Sequence, residues 1–499
     1  MAAVTEPVAA EDETLVDKDG LIAQLKAELP DDVVLHDEED LRPFECDGLS
    51  AYRELPMLVV LPATEAQIQT TLRICHANNV PVVARGAGTG LSGGSLPLDR
   101  GVLLSLARFN QILDIDADNA RATVQPGVRN LAISEAVADL GLYYAPDPSS
   151  QIACSIGGNV AENSGGVHCL KYGLTTHNIL QVTIITLEGE RLTIGSMALD
   201  SPGYDLLALM TGSEGLLGVI VEVTVKLLPT PEVARVALIA FDGLRQASNA
   251  VAAIIQAGIV PAGLEMLDNP AIKATEDFVH AGYPTEAAAI LLCEVDGTAA
   301  EVEEHIEAVR DVVERCGATE IRLSQDEAER ARFWAGRKAA FPAMGRVRPD
   351  YYCMDGTIPR KALADVLIGI GDLSQEYELD VANVFHAGDG NLHPLILYDA
   401  NNPGELERAE AFGGAICQLC LDYGGSITGE HGVGVEKIDQ MCVQFPPAEL
   451  TQFHAIKSAF DPKGLLNPGK AVPTLHRCAE FGAMHVHNGE LPHPELERL

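Results

Sequence analysis

Five glycines crowd nine residues of this chain, and they limit what it can fold into. The stretch Pro81–Ser95 reads PVVARGAGTGLSGGS, with glycine at Gly86, Gly88, Gly90, Gly93 and Gly94. Lacking Cβ atoms, such a loop lets backbone N–H groups surround an anion the size of a pyrophosphate. Gly88, Gly90 and Gly93 satisfy the spacing G-x-G-x-x-G. A dinucleotide-binding turn of that spacing must open a helix. Here Ser95-Leu96-Pro97 leads instead into Gly101–Leu106, an apolar run with strand character. The doubly wound nucleotide fold is therefore set aside. On this segment alone, a flexible loop without a ligand stays open.

The neighbouring pattern mixes helices and strands. Glu65–Asn78 predicts a helix with Ile68, Leu72 and Cys75 on one face, and Val80–Ala84 a buried strand. Strands are expected at Val102–Leu106 and Ala122–Gln125, and a helix at Asn130–Leu140. Val219–Leu227 alternates, which assigns Val219, Val221, Val223, Val225 and Leu227 to one face. Leu228-Pro229-Thr230-Pro231 breaks that pattern and marks a boundary. Ala299–Cys316 reads as an amphipathic helix. The expected order is a lead segment over 1–50, a first domain over 51–231, a second over 232–472 and a tail over 473–499; 499 residues suffice for this.

Charge and cysteine usage exclude several functions. Acidic residues number 72 against 34 basic, a net charge of -38, which repels nucleic acid and anionic lipid. A site for a carboxylate substrate must then be built locally from particular cations. No 18-residue apolar run is present, and the acidic start lacks a signal-like apolar region, so a cytoplasmic protein is expected. Eleven cysteines, an odd number, suggest reduced thiols. The only CxxC, Cys417/Cys420, sits in a helical pattern, and an iron–sulfur cluster needs about four thiolates.

A second glycine cluster follows in Pro146–Gly166, PDPSSQIACSIGGNVAENSGG, and a third element in Thr211–Gly218. In order and wording these segments resemble the FAD-binding domain of the vanillyl-alcohol oxidase family, the PCMH-type fold, over about Ala51–Pro231. The resemblance implies an α+β chain: two small subdomains holding FAD between them, then a C-terminal α+β substrate domain. It assigns the diphosphate to Arg85, Gly86, Ala87, Gly88, Thr89, Gly90, Gly93, Gly94 and Ser95. It assigns the rest of the cofactor to Pro146, Ser149, Gly157, Gly158, Asn159, Asn163 and Gly166. Some relatives attach FAD through a histidine in the first loop. Residues 81–95 hold none, so FAD is expected to be non-covalent.

The second half carries a histidine–carboxylate set. In VFHAGDGNLHP, His386 and His393 are symmetric about Asp389-Gly390, a two-residue hairpin turn that would place them opposite each other. Two imidazoles so placed could share a divalent ion, with Glu430 of Gly424–Lys437, GGSITGEHGVGVEK, as third ligand. A structural histidine pair is the alternative. Over about Glu232–Lys470, including FDPKGLLNPGK at Phe460–Lys470, the chain resembles the FAD-linked D-2-hydroxy-acid dehydrogenases. That resemblance implies a zinc or manganese ion on His386, His393 and Glu430. It makes His431 the catalytic base and places Asn391 and Asn467 near substrate or flavin.

The same resemblance gives Arg337, in FWAGRKAAFP, the substrate carboxylate, which a guanidinium fork suits. A solvated Arg337 on a surface helix is the alternative. Relatives acting on longer dicarboxylates carry a threonine and a lysine where this chain has Phe341 and Cys353. A short monocarboxylate such as glycolate or D-lactate is therefore expected, although Arg346 and Arg348 lie close enough in sequence to compensate. The implied reaction is FAD-dependent oxidation of a small 2-hydroxy acid to the 2-oxo acid. The resemblance continues into the tail. It implies a complex with a second flavin-domain subunit and an iron–sulfur subunit, at the inner face of the cytoplasmic membrane through those partners, with the tail as docking segment. A stand-alone D-lactate or D-2-hydroxyglutarate dehydrogenase, a non-redox flavin transferase and a non-catalytic flavin subunit are the competing readings.

Overall fold

The computed structural model of the chain describes residues 17–198 and 203–473. The docking role given to the tail therefore falls, beyond Pro473, outside the described residues.

The class is α+β. A four-stranded sheet runs Val34–Leu35, Leu58–Val60, Val102–Ser105, Val82–Arg85, its last three strands parallel. A five-stranded antiparallel sheet runs Ile112–Asp116, Arg121–Val124, Val219–Lys226, Ile179–Ile185, Arg191–Gly195. The first loop connects two strands, Val82–Arg85 and Val102–Ser105, with no helix between them, where a dinucleotide-binding turn would need one. Seven further antiparallel strands form one sheet: Glu320–Leu323, Val233–Phe241, Ala289–Gly297, Gly263–Asp268, Asp380–His386, Pro394–Tyr398, Asp350–Cys353. Its two faces bury separate cores. Ile239, Phe241 and Met266 pack under helices Leu244–Gln256 and Ala299–Arg315. Leu238, Leu267 and Val384 pack under Asn269–Val279 and Glu327–Met344.

The expected face of one strand needs correction. Val219–Lys226 does not present its alternating residues on one face. A bulge between Ile220 and Glu222 inserts an extra residue and shifts the phase. Val219 and Val221 pack with Leu58 and Val102, while Val223 and Val225 pack with Val124 and Val182. The lead segment carries the helix Lys18–Glu28. Leu21, Leu25 and Val33 enter the core beside Leu58 and Val82. The chain end also returns to the first half, where Asn467 N donates to Val82 O at 2.8 Å. Among the described residues nine cysteines are free thiols, Cys417 and Cys420 buried on Glu405–Asp422 among them. Among the described residues no helix is long and apolar enough to cross a membrane.

Candidate active site

One cavity joins the two halves of the sequence argument. Its walls include Arg85–Leu91, Gly94, Ser95, Ser149 and Gly157–Asn159, and it also holds His393, Glu430 and His431. The glycine loops and the histidine set therefore open on the same space. Backbone close approach explains the glycines: a Cβ on Gly157 would lie 2.4 Å from Pro126 Cβ.

Not every expected cofactor residue lines this space. Gly93, Pro146, Asn163, Gly166 and Asn467 stand behind it. Asn467 is buried, and its Nδ2 donates to Gly94 O at 2.8 Å and Glu214 O at 2.6 Å, so it ties the first loop to the third glycine element. Asn163, in the left-handed conformation, ends the helix Ile156–Glu162 and accepts from Thr176 N. Arg85 lines the cavity, but its guanidinium turns to the lead segment, donating to Phe44 O and Cys46 O, both at 3.0 Å, and to Ser95 O. Several buried atoms on the lining residues lack partners, Arg85 Nε, Asn159 Nδ2 and Glu162 Oε2 among them. Buried polar groups left so in a glycine-walled cavity suit a polar ligand such as FAD.

The histidines meet by a different register from the one expected. Asn383 pairs with Pro394, and His386 bridges to Asn391, not His393. The connection is therefore four residues, 387–390, with Gly390 at φ 83°. His393 lies two residues beyond Asn391 on the same face, so the imidazoles meet diagonally, with ring centroids 5.1 Å apart. Nε2 of His386 and Nε2 of His393 each lie 3.1 Å from Glu430 Oε1. One donor atom from each residue falls within a 4.8 Å group. His393 Nδ1 and Nε2 satisfy no hydrogen-bond geometry. Two imidazole nitrogens and a carboxylate, with space on the cavity side, form a donor set that suits a divalent ion with one open position. Burial opposes charge on His386, yet Glu265 and Glu430 raise its pKa well above the usual value, so the site favours a cation there.

Two residues overlooked in the sequence build this set. Glu265, opposite His386 in the sheet, accepts from His386 Nδ1 at 2.7 Å and from Arg337 Nε at 2.8 Å. Asp355 organises the loop 428–431. Its carboxylate accepts from Thr428 Oγ1 at 2.6 Å, Gly429 N at 3.1 Å and His431 N at 2.8 Å. Burial pushes Asp355 up, but His431 and Lys437 hold it well below the usual carboxylate range. Glu265 sits in the apolar strand GLEMLD and Asp355 in the turn YYCMDGTIP.

His431 stacks on His393 at 4.9 Å with planes 8° apart. Burial drives its pKa down to about 4, with His393 also lowering it and Asp355 opposing, so its imidazole is neutral at pH 7. Asn391 Oδ1 is buried without a partner beside Gly429. Arg337 is buried, and its Nη1 also lacks a partner. From the same helix, Lys338, Phe341 and Pro342 line the cavity, while Arg337 stands behind them. Cys353 is buried outside the cavity lining, and Arg346 is paired with Asp277 on the surface at 2.9 Å.

Residues 56–195 match the family model of an FAD binding domain, and residues 230–471 that of the C-terminal domain of FAD linked oxidases. Glycolate oxidase subunit GlcD of Escherichia coli (strain K12) is 67% identical over 484 residues, 97% of each chain. D-lactate dehydrogenase of Anaerostipes hadrus is 32% identical over 463 residues, 90% of this chain and 96% of that one. Among solved structures, p-cresol methylhydroxylase superposes with a TM-score of 0.79 at 19% identity, over 92% of this chain and 97% of that one, a likeness of fold alone.

Proposed function

The chain belongs to the FAD-linked oxidases, in the branch that contains the glycolate oxidase subunits GlcD, and on that footing we propose that it oxidises glycolate, and also D-lactate, to the 2-oxo acid. It is an FAD-dependent 2-hydroxy-acid oxidoreductase. The observation that carries the substrate reading is the shared cavity, which brings His393, Glu430 and His431 into the glycine-walled groove.

Bound FAD supplies the hydride acceptor, and a zinc or manganese ion on His386, His393 and Glu430 supplies the Lewis acidity that makes the hydroxyl proton easier to remove. The protein's own groups do the rest. His431, neutral and held in place by Asp355 through its backbone, accepts the hydroxyl proton. Glu265 fixes the orientation of His386. By resemblance Arg337 is the group for the substrate carboxylate; it stands behind the wall of Lys338, Phe341 and Pro342 with Nη1 unpartnered and Nε taken by Glu265, and Asn391 Oδ1 is a further unpartnered acceptor beside Gly429. Phe341 closes the cavity beside His393, with ring centroids 6.2 Å apart, and favours a short acid.

The chain works as one subunit of an oxidase complex. Electrons leave to a second flavin-domain subunit and an iron–sulfur subunit, and the cytoplasmic complex reaches the inner face of the membrane through those partners. No described residues form a cluster of thiolates that would carry the electrons onward within this chain.

Anaerobic mixing of the purified FAD-loaded chain with glycolate, D-lactate and D-2-hydroxyglutarate tests the reading. Rapid flavin bleaching by the first two and slow bleaching by the third is expected. No bleaching by any 2-hydroxy acid overturns it.

A further inference from the structure

Two carboxyls of the cavity wall, Glu214 buried and Glu162 half-buried, lie outside the chemistry described above. Glu162 ends the helix Ile156–Glu162, and Glu214 lies in the third glycine element; both line the cavity. They are neighbours, because both crowd the Cα of Gly432: a Cβ there would lie 2.1 Å from Glu162 Oε2 and 2.9 Å from Glu214 Oε1. Gly432, at φ 79°, is the residue after His431.

The two acids are satisfied very differently. Glu214 accepts from Val433 N and Gly434 N, each at 2.7 Å, as an ionised carboxylate would. Among the described residues no donor reaches the side chain of Glu162, and its Oε2 is fully buried. A carboxylate with no donor, packed against a second carboxylate, is costly to bury. Holding a proton removes that cost and turns Glu162 into a donor, which then needs an acceptor. Burial and the charge of Glu214 both act in this direction, raising the Glu162 pKa well above the usual value. The neighbouring acceptor in the wall, Glu214, already takes Val433 N and Gly434 N, so the cavity's occupant is the acceptor left open to that proton.

The position of the orphaned oxygen says which part of that occupant it meets. Glu162 Oε1 faces the first loop, 2.8 Å from where a Cβ of Gly94 would be, and Oε2 faces Gly432 beside His431. The loop is the diphosphate end of the cavity, and His431 marks the end where the reacting ring must sit. We propose that Glu162 contacts the flavin ring, donating a carboxyl O–H hydrogen bond to its polar edge and thereby stabilising the negative charge that two-electron reduction places there. Burial raises the Glu214 pKa too, but the N–H groups of Val433 and Gly434 oppose it, and Glu214 ionised on that backbone keeps its neighbour in the donor role.

The proposal rests on the FAD reading above, and potentiometric titration of the full-length, FAD-loaded chain separates the two. Glu162→Gln keeps a donor of the same shape and should keep the wild-type midpoint potential. Glu162→Ala should lower the equilibrium constant for two-electron reduction at least about tenfold, or about 30 mV, and weaken sulfite addition to the flavin in parallel. If Glu162→Ala does not retain FAD, Glu162→Met, which fills the volume without a donor, replaces it. A donor-less variant with wild-type potential overturns the ring contact, even if its FAD affinity falls, since that result places Glu162 on the ribityl or diphosphate portion. A shift in Glu162→Gln as large as in Glu162→Ala also overturns it. Wild-type protein that holds no FAD would sink the flavin reading itself.

Discussion

Glu265 Oε1 lies 2.7 Å from His386 Nδ1, so the imidazole is turned to aim Nε2 at the cavity side. The pair is buried between adjacent strands, and Arg337 holds the other carboxylate oxygen. Outer partners of this kind set ring orientation, and their loss typically costs about 10–100-fold in metal affinity. Glu265→Gln should therefore release its divalent ion at a chelator concentration that leaves the wild type loaded, while flavin stays bound. Metal analysis after graded chelation checks this. Equal retention in both proteins would show that Glu265 serves only the Arg337 pair.

Stripping the ion from the wild type should leave the flavin spectrum intact and stop its bleaching by glycolate, and zinc or manganese should restore it. The ligand set comes from side chains of the second half, His386, His393 and Glu430, and the flavin cradle from the glycine loops of the first, which is why the two bound groups should separate in this way. Full-rate bleaching of metal-free protein would remove the ion from the reaction.

His431→Ala is expected to keep FAD and metal but lose roughly 10²–10⁴ in the rate of flavin reduction, the usual range for a lost general base. Its ring makes no side-chain bond that the fold depends on; the structural link of this residue is the backbone N–H to Asp355 at 2.8 Å, which alanine retains. Stopped-flow bleaching with glycolate measures the step directly, and a rate within a few-fold of wild type would clear His431 of that role.

How much of this was legible in the residues follows from what each signal depends on. The glycine loops announced themselves because close backbone approach admits little else. Helices such as Glu65–Ala77 followed from apolar spacing. The phase shift at Val221 was hidden, since a bulge leaves the alternation VIVEVTVKL intact while exchanging the cores behind it. The hairpin was placed one pairing off because Asp389-Gly390 mimics a two-residue turn, whereas the Pro394 pairing fixes a longer one. Glu265 and Asp355 were missed for one shared reason. Each acts on a partner more than 70 residues away, through hydrogen bonds that only the folded sheet creates.

A pH dependence of stability should come from the junction of the two halves. His168 lies 2.7 Å from Asp147 and 3.0 Å from Glu294, and Arg330 and Trp334 also donate to Glu294. Burial lowers the His168 pKa, but Asp147 and Glu294 outweigh it and raise the value to about 10. Because the folded value exceeds the unfolded one, near 6.5, the contribution is complete below pH 6.5 and is lost as pH rises towards 10. Its size should fall below the roughly 3–5 kcal/mol of a fully buried pair, since the side chain is 21% exposed. Melting temperatures of wild type and His168→Gln between pH 6 and 10 should converge at the alkaline end. A constant gap would refute the linkage.

Substrate length should be set by Phe341. Its ring lines the cavity edge-on to His393, where a longer acid would extend its second carboxylate. Arg346 is occupied by Asp277, and Arg348 does not line the cavity, so neither sequence neighbour compensates. Lys338 does line it, but it is exposed, and an exposed ion pair is worth at most about 1 kcal/mol. An unpaired carboxylate against an aromatic wall loses far more, so kcat/KM for D-2-hydroxyglutarate should trail that for glycolate by roughly 10²-fold or more. Phe341→Thr, which opens the wall and adds a hydroxyl, should narrow that ratio mainly by raising the dicarboxylate value. Steady-state kinetics with both acids decides it, and a wild-type ratio near one would show that Phe341 does not bound the site.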